Sequence, residues 1–281
     1  MRFGFHISTN GGFNKVVERA LNKECQTIQL FSRNPRGWNF GKLDMNDITE
    51  FQQAIKQADI SPVFVHMPYL PNLATQDKIA FKKSLDSLTA ELERCELIGA
   101  QFLIMHIGRR MDSSEKQALV KVSQGINISF HEVKNSVKLL LENTAGMGSE
   151  IGYNFSQIKE IFDRVEDNDR LGVVIDTAHI FEAGYPIHTK EGLDKTLKEF
   201  DELVGMQRLH LLHLNDSKTD FDSRIDRHWH IGEGKIGLEG FKNIVNHPLL
   251  RHLPGIMETP RKDEKEDLKN MKVIKGLVKH N

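Results

Sequence analysis

Eight short apolar runs recur along the 281-residue chain, each separated from the next by a stretch long enough to hold a helix. The runs cover residues 2–7, 27–31, 63–67, 102–106, 137–142, 172–176, 209–215 and 255–258. They are rich in Val, Ile, Leu and Phe without clean apolar/polar alternation, the pattern of parallel strands buried on both faces. Between them lie segments of helical period, such as 81–98 (FKKSLDSLTAELERCELI) and 265–278, several preceded by a Ser, Thr, Asp or Asn able to cap a helix. Eight strand-helix units predict one (β/α)8 barrel, a TIM barrel of parallel strands spanning residues 1–281 as a single domain, because an open doubly wound sheet usually has fewer strands. A chain of this length buries roughly three quarters of its unfolded surface, so no stapling by disulfides is needed.

What ends each run carries the chemistry. His66 closes VFVH, His106 closes FLIMH, Glu142 closes LLLE, Asp176 closes VVID, His213 lies in LHLLHLND and Glu258 closes GIME, at intervals of 34 to 45 residues. Each interval is about one strand-helix unit, so the six groups belong to six successive strands and converge on the C-terminal mouth of a barrel, where such enzymes carry their sites. A charge at the end of a buried strand is costly unless paired. DTAH adds His179 one turn beyond Asp176, and DRH places Asp226 and His228 on one side of an extended segment. The only cysteines, Cys25 and Cys95, form no CxxC pair, which leaves imidazole and carboxylate as ligands for zinc or manganese. Nine such donors exceed the needs of one catalytic ion, which takes about three protein ligands, so two or three ions are expected. Three divalent ions over four carboxylates would leave surplus positive charge suited to a phosphodiester. His6 also sits near a strand end, without a partner motif, and stands open between a supporting and a structural role.

The 38 basic and 39 acidic side chains leave a formal charge of −1, so no global field draws the molecule to nucleic acid or anionic lipid, and any polyanion site has to be local. SRNPRGWNFGK is such a local patch: Arg33, Arg36 and Lys42 stand with Trp38 and Phe40 and no acid. It can grip a phosphate backbone and wedge a base stack, the alternative being that its aromatic groups pack a rim. The connection over 216–237 is longer than loops without a function usually are. It carries Lys218, Arg224, Arg227 and Lys235 as candidate phosphate contacts, offset by Asp220, Asp222, Asp226 and Glu233. The start lacks a signal-peptide core, and the most apolar stretch, 97–108, is about 12 residues where a membrane helix needs roughly 20. A cytoplasmic protein without a membrane partner is expected.

GGFNKVVERA, HMPYLPNL, LENTAGMGSEIG, GVVIDTAHIFEAGY, LHLNDSKTDFDSRIDRHWHIGEGKIG and IMETP together resemble the endonuclease IV family over essentially the full length. That family comprises zinc-dependent apurinic/apyrimidinic endonucleases of DNA base excision repair. The resemblance implies three zinc ions per chain in a barrel, with manganese tolerated by similar ligands. One ion would be held by His66, His106 and Glu142, a second by Glu142, Asp176, His213 and Glu258, and a third by His179, Asp226 and His228. It further implies that a metal-activated hydroxide attacks the phosphodiester 5′ to an abasic site, leaving a 3′-hydroxyl and a 5′-deoxyribose phosphate, with Glu142, Glu258 and Asp176 as the central catalytic carboxylates. The partner would be double-stranded DNA containing abasic sites, engaged by a monomer at the nucleoid. Arg36 and Tyr69 match the Arg and Tyr that the family inserts at the lesion, and Trp38, Arg33 and Arg227 join them as expected DNA contacts. The chain departs from the family at Arg109 and Arg110, where PGS is common after the strand, and at Met147. Two other readings compete: a xylose-isomerase-like sugar isomerase or epimerase, which has no use for a third ion or a duplex wedge, and a metal-free lesion binder, against which the intact set of nine donors argues.

Overall fold

All eight runs become strands in the computed structural model, which describes residues 1–261 and 263–279. Residues 262, 280 and 281 of the expected domain lie outside the described residues. The strands are β1 (Phe3–Ile7), β2 (Thr27–Leu30), β3 (Val63–His66), β4 (Phe102–His106), β5 (Lys138–Glu142), β6 (Leu171–Asp176) and β7 (Leu209–His213), then a two-residue antiparallel pair, β8 (Asp216–Ser217) and β9 (His228–Trp229), and finally β10 (Gly255–Met257). β1 to β7 and β10 pair in parallel and close into a barrel, with β10 lying between β7 and β1. Helices α1 (Val16–Asn22), α2 (Met45–Gln57), α3 (Lys78–Ile98), α4 (Glu115–Glu132), α5 (Phe155–Arg164), α7 (Lys190–Leu203), α8 (Gly237–Asn246) and α9 (Glu264–Leu277) cover the outside, and the short, buried α6 (Thr177–Glu182) follows β6 directly. No helix among the described residues is long and apolar enough to cross a membrane.

The period of two along a strand sorts the side chains into layers. Phe64, Ile104, Leu140, Val174, Leu211 and Ile256, one from each of six strands, pack together as a fully buried cluster inside the barrel. Their neighbours Val65, Leu103, Leu141, Val173, Leu212 and Met257 point the other way and join the larger core under the helices. Two residues beyond each member of the inner cluster stand His66, His106, Glu142, Asp176, His213 and Glu258. The polar residues are therefore the next inward layer of one stack, held on a floor of apolar side chains. A register shift in the β6–β7 pairing, with Val173 opposite Leu209 and Val174 opposite Leu211, absorbs His210 and keeps Asp176 level with His213.

Helix starts follow the expected cap chemistry. Asp77 accepts from the Ala80 amide before α3, and Ser114 forms a capping box with Gln117 before α4. Asp176 ends β6 and caps α6 at once, its Oδ1 accepting from the His179 amide at 3.0 Å, and so the DTAH spacing carries His179 back over the mouth.

Candidate metal centre

Glu142 is the hub. Its carboxylate is fully buried, with Oε2 3.0 Å from His66 Nε2 and 3.2 Å from His106 Nε2, while Oε1 lies 2.7 Å from His213 Nδ1. His213 Nδ1 is in turn 3.4 Å from Glu258 Oε2 and 3.7 Å from Asp176 Oδ2. Beyond Asp176, His228 Nε2 lies 3.6 Å from Asp176 Oδ2 and 3.1 Å from His179 Nε2. Asp226 Oδ1 completes that corner at 3.4 Å from His179 and 3.6 Å from His228.

Donor atoms thus gather in three overlapping sets. His66, His106 and Glu142 form one; Glu142, Asp176, His213 and Glu258 form the next; Asp176, His179 and His228 form a third, with Asp226 against its two imidazoles. Glu142 belongs to two sets, as does Asp176, which the sequence placed in the middle one alone.

The donor chemistry fits cations. His66 Nδ1 is held at 2.7 Å by the Met67 carbonyl, His179 Nδ1 at 2.9 Å by that of Asn143 and His228 Nδ1 at 3.3 Å by that of Glu258. Each carbonyl accepts the ring's N–H, which leaves the Nε2 lone pair facing the other donors, the arrangement metal-binding histidines adopt. Charge tells the same story. Burial opposes ionisation of Glu142, yet the imidazoles of His213 and His106 hold its carboxyl well below the usual carboxylate range. Burial would depress His213, but Glu258, Glu142 and Asp176 push it up to about 9. Likewise His179, against its burial, is raised well above its ordinary value by Asp176, Asp226 and Glu142. The carboxylates thus draw positive charge to the site, a demand that divalent ions meet while the rings keep their lone pairs.

Several residues outside the expected set hold this arrangement together. Asn215 donates to Asp176 Oδ2 at 2.7 Å and accepts from the Glu258 amide at 2.8 Å, and Asn143 Oδ1 accepts from the Asp176 amide at 2.7 Å. Asp216 is buried and accepts from the amides of Ser217, Gly232, Gly234, Ile236 and Gly237, so one carboxylate folds the long connection back on itself. A Cβ at Gly234 would lie 2.3 Å from the Ser217 carbonyl oxygen, which accounts for the glycine in GEGKIG. Glu182, fully buried at the end of α6, accepts from the Ser217 and Thr219 hydroxyls and the Arg227 amide, tying the segment that carries Asp226 and His228 to the helix that carries His179. His6 and Gln29 complete the mouth from β1 and β2, with Gln29 Nε2 2.6 Å from Glu258 Oε1 and 3.0 Å from His6 Nδ1. Asn143, Asn215 and Asp216 lie within three residues after strand-end donors, whereas Gln29 is a single polar letter that shows only in the inward phase of β2.

The expected DNA contacts divide. Tyr69 is 68% exposed, packs edge-on at 5.2 Å against Phe31, and lines the cleft of about 360 Å³ above the donors as well as the grooves on either side. Arg36 and Arg227 are exposed, and Trp38 is half-buried with Lys83 5.8 Å from its ring. Arg33 is a correction. Glu91 on α3 is fully buried and needs a counter-ion, and Arg33 supplies it at 2.7 Å while also donating to Ser87 and the Gly37 carbonyl. Its side chain is turned inward and anchors the loop instead of facing a ligand. Among the other basic groups, Arg109 pairs with Glu150 at 3.0 Å, Lys235 with Asp220 at 2.8 Å and Arg224 with Asp222 at 3.2 Å, and Lys218 sits 4.2 Å over Trp229. The Met147 amide donates to Glu150 Oε2, so the departures at 109 and 147 meet on one carboxylate.

This chain has counterparts among known proteins. The family model of the xylose isomerase-like TIM barrels matches residues 17–277. A protein of Methanosphaerula palustris named "Probable endonuclease 4" is 41% identical over 281 residues, covering 99% of this chain and 98% of its own. The crystal structure of endonuclease IV from Thermus thermophilus superposes with a TM-score of 0.87 at 30% identity, covering 99% of this chain and 98% of that one. A D-tagatose 3-epimerase-like protein reaches a TM-score of 0.73 over 99% and 97% of the two chains at 16% identity, which shows a shared fold alone. A family-model match over most of the chain and identity of this order over its full length show that the chain belongs to the endonuclease IV family of the xylose isomerase-like TIM barrels.

Proposed function

We propose that the protein is an apurinic/apyrimidinic endonuclease that hydrolyses the phosphodiester 5′ to an abasic site in duplex DNA, leaving a 3′-hydroxyl and a 5′-deoxyribose phosphate. The reading assigns it three zinc ions, a monomeric state and a place in the cytoplasm at the nucleoid. The observation that carries it is the sharing of Glu142 and Asp176 between neighbouring donor sets, which makes one contiguous nest for several ions in a chain of this family. A sugar isomerase or epimerase has only the common barrel in its favour.

His66, His106 and Glu142 would hold one ion, Glu142, Asp176, His213 and Glu258 a second, and His179, Asp226 and His228 a third. Divalent ions bound there supply Lewis acidity, making water a usable nucleophile near neutral pH and neutralising phosphate charge. Glu142 presents its two oxygens to opposite neighbours and so sets the spacing of the first two donor sets. Asp176, braced by Asn143 and Asn215, does the same for the second and third. Glu258 lies against the cleft, where a substrate phosphate would enter. A cleft of about 360 Å³ takes a sugar-phosphate unit but not a stacked base pair, so the target nucleotide has to leave the helix. Extrusion costs least where pairing is already lost, which favours a lesion without reading sequence. Tyr69 stands exposed at the junction of the clefts to fill the vacated stack, with Arg36, Trp38 and Arg227 around the rim for backbone contact.

The test is cleavage of a duplex oligonucleotide carrying one abasic-site analogue, beside an undamaged duplex, with zinc content and solution mass determined on the same preparation. A single nick 5′ to the analogue, about three zinc ions per chain and a monomer mass are expected. A zinc-loaded preparation that spares the analogue or cuts both duplexes equally would overturn the reading.

A further inference from the structure

Every barrel strand presents an inward polar group at the mouth, and two of the eight, His6 and Gln29, belong to no donor set. They face each other in the β1–β2 register. Gln29 is fully buried and reaches past β1 to both β10 and β7: its Nε2 lies 2.6 Å from Glu258 Oε1, and its Oε1 lies 2.7 Å from His213 Nε2.

The chemistry of these partners fixes which way the amide faces. An ionised carboxylate only accepts, so the amide N–H groups of Gln29 point to Glu258, and the second of them to His6 Nδ1. Its carbonyl oxygen is then left for His213, and because that oxygen only accepts, His213 Nε2 carries a hydrogen. A ring protonated at Nε2 offers its lone pair at Nδ1, and Nδ1 is the atom that faces Glu142, Glu258 and Asp176. His66, His179 and His228 are held the opposite way round, Nδ1 on a backbone carbonyl and Nε2 towards the donors.

We propose that Gln29 is a positioning residue of the metal centre: it selects Nδ1 of His213 as the metal-binding nitrogen and holds Glu258 beside it, so that β2 sets two ligands of the middle ion from two and three strands around the barrel. This rests on the assignment of the nest as a metal site. Side chains that orient a metal ligand in this way change metal affinity by roughly 10- to 100-fold when removed.

Two measurements test it. In the zinc-loaded wild-type protein with ¹⁵N-labelled histidine, His213 is expected to show a zinc-bound Nδ1 and a protonated Nε2; coordination through Nε2 overturns the proposal whatever any variant does. In Gln29→Met, which keeps length and loses the hydrogen bonds, titration of zinc against a competing chelator should show one site per chain weakened by about 10- to 100-fold and the others unchanged. Thermal unfolding of the metal-free variant checks that it is folded. Equal zinc affinity at every site in folded Gln29→Met also overturns the proposal. A wild-type chain that binds no zinc removes this inference and the metal reading together, whereas one that loads zinc and cuts the abasic duplex, yet coordinates through His213 Nε2, removes this inference alone.

Discussion

At the mouth of the barrel, inward imidazoles and carboxylates face one another above six apolar side chains; at the floor, beneath the same six, the inward rows carry Phe102, Lys138, Gly172 and His210. The floor settles each polar group separately. Lys138 Nζ donates to the Asp169 carbonyl and Arg208 Nη1 to that of Asn168, both at the rim. The His210 ring lies 5.3 Å from that of Phe102, in space that a Cβ at Gly172 would fill. The mouth instead sets its carboxylates against imidazoles whose affinity for protons they raise. A cation has nothing to improve at the floor, and at the mouth it can replace several protons at once. The two ends show why titratable residues in a barrel have to be read by the company they keep, since both ends are equally deep in the sequence pattern.

The largest effect that sharpens this contrast is loss of the hub. Glu142→Ala should lower the rate of abasic-site cleavage by at least about a thousandfold, the scale of several kcal/mol of lost charge stabilisation. Bound zinc should fall with it, while the far-ultraviolet dichroism of the barrel persists. Lys138→Met at the floor should leave cleavage within about twofold. Comparable losses from the two variants, in nicking assays with zinc measured on each, would abolish the distinction between the ends.

A second prediction targets the layer common to both. Leu140 is fully buried one inward step below Glu142, and Leu140→Ala should cost roughly 2–5 kcal/mol of unfolding free energy, as a cavity in a packed core does. Denaturant melts read the loss. Zinc stoichiometry of the folded fraction should be unchanged, because the donors are braced mainly by one another and by Asn143 and Asn215. A variant with full stability but depleted zinc would mean that the apolar layer belongs to the site and not to the scaffold.

How far the sequence disclosed this layout follows from the range of each interaction. The strands and the gathering of the candidate donors are legible because six of those donors close apolar runs, His179 follows one within a turn and Asp226 and His228 share one short motif, and the pleat then places the strand-end groups automatically one step above the cluster. Gln29 is not, because one polar letter between Ile28 and Leu30 reads as noise until the barrel closes and brings Glu258 and His213 to it. Arg33 looked like a free cation because its counter-ion Glu91 is remote in sequence, and nothing local distinguishes a buried pair from a ligand-binding arginine. The five amides gathered by Asp216 come from one loop, yet only the folded loop shows that they share an acceptor. The displacement of His210 by the register shift has no sequence signature at all.

A smaller effect separates the mouth's rim from its donors. Tyr69→Ala should weaken binding of an abasic duplex by about 1–3 kcal/mol, the worth of one aromatic stacking contact, without changing zinc content. Trp38→Ala should cost less, since that ring is half-buried against Lys83. Fluorescence anisotropy with a labelled duplex measures both. A larger loss from Trp38 than from Tyr69 would move the wedge to the loop after β2.

The smallest effect tests the floor by pH. Burial, assisted by the Lys138 and Arg208 charges, pushes His210 down to about 4 from its ordinary 6.5. The unfolded chain therefore binds a proton at this ring between those values that the folded chain refuses, and stability has to fall as pH drops through that window. The loss is complete once pH passes below the folded value. The ring is partly open to solvent, which screens the interaction, so the contribution is of the order of 1–2 kcal/mol and not the full equivalent of the shift. In His210→Gln the decline between about pH 6.5 and pH 4 should be shallower by that amount, in denaturant melts of metal-free protein at each pH. The raised rings of the mouth, His213, His179 and His106, already carry their protons in this window and do not mimic the effect, and His6, which burial lowers as well, is common to both proteins and cancels in the comparison. An unchanged slope in the variant would place the neutral histidine elsewhere and leave the floor as charged as the mouth.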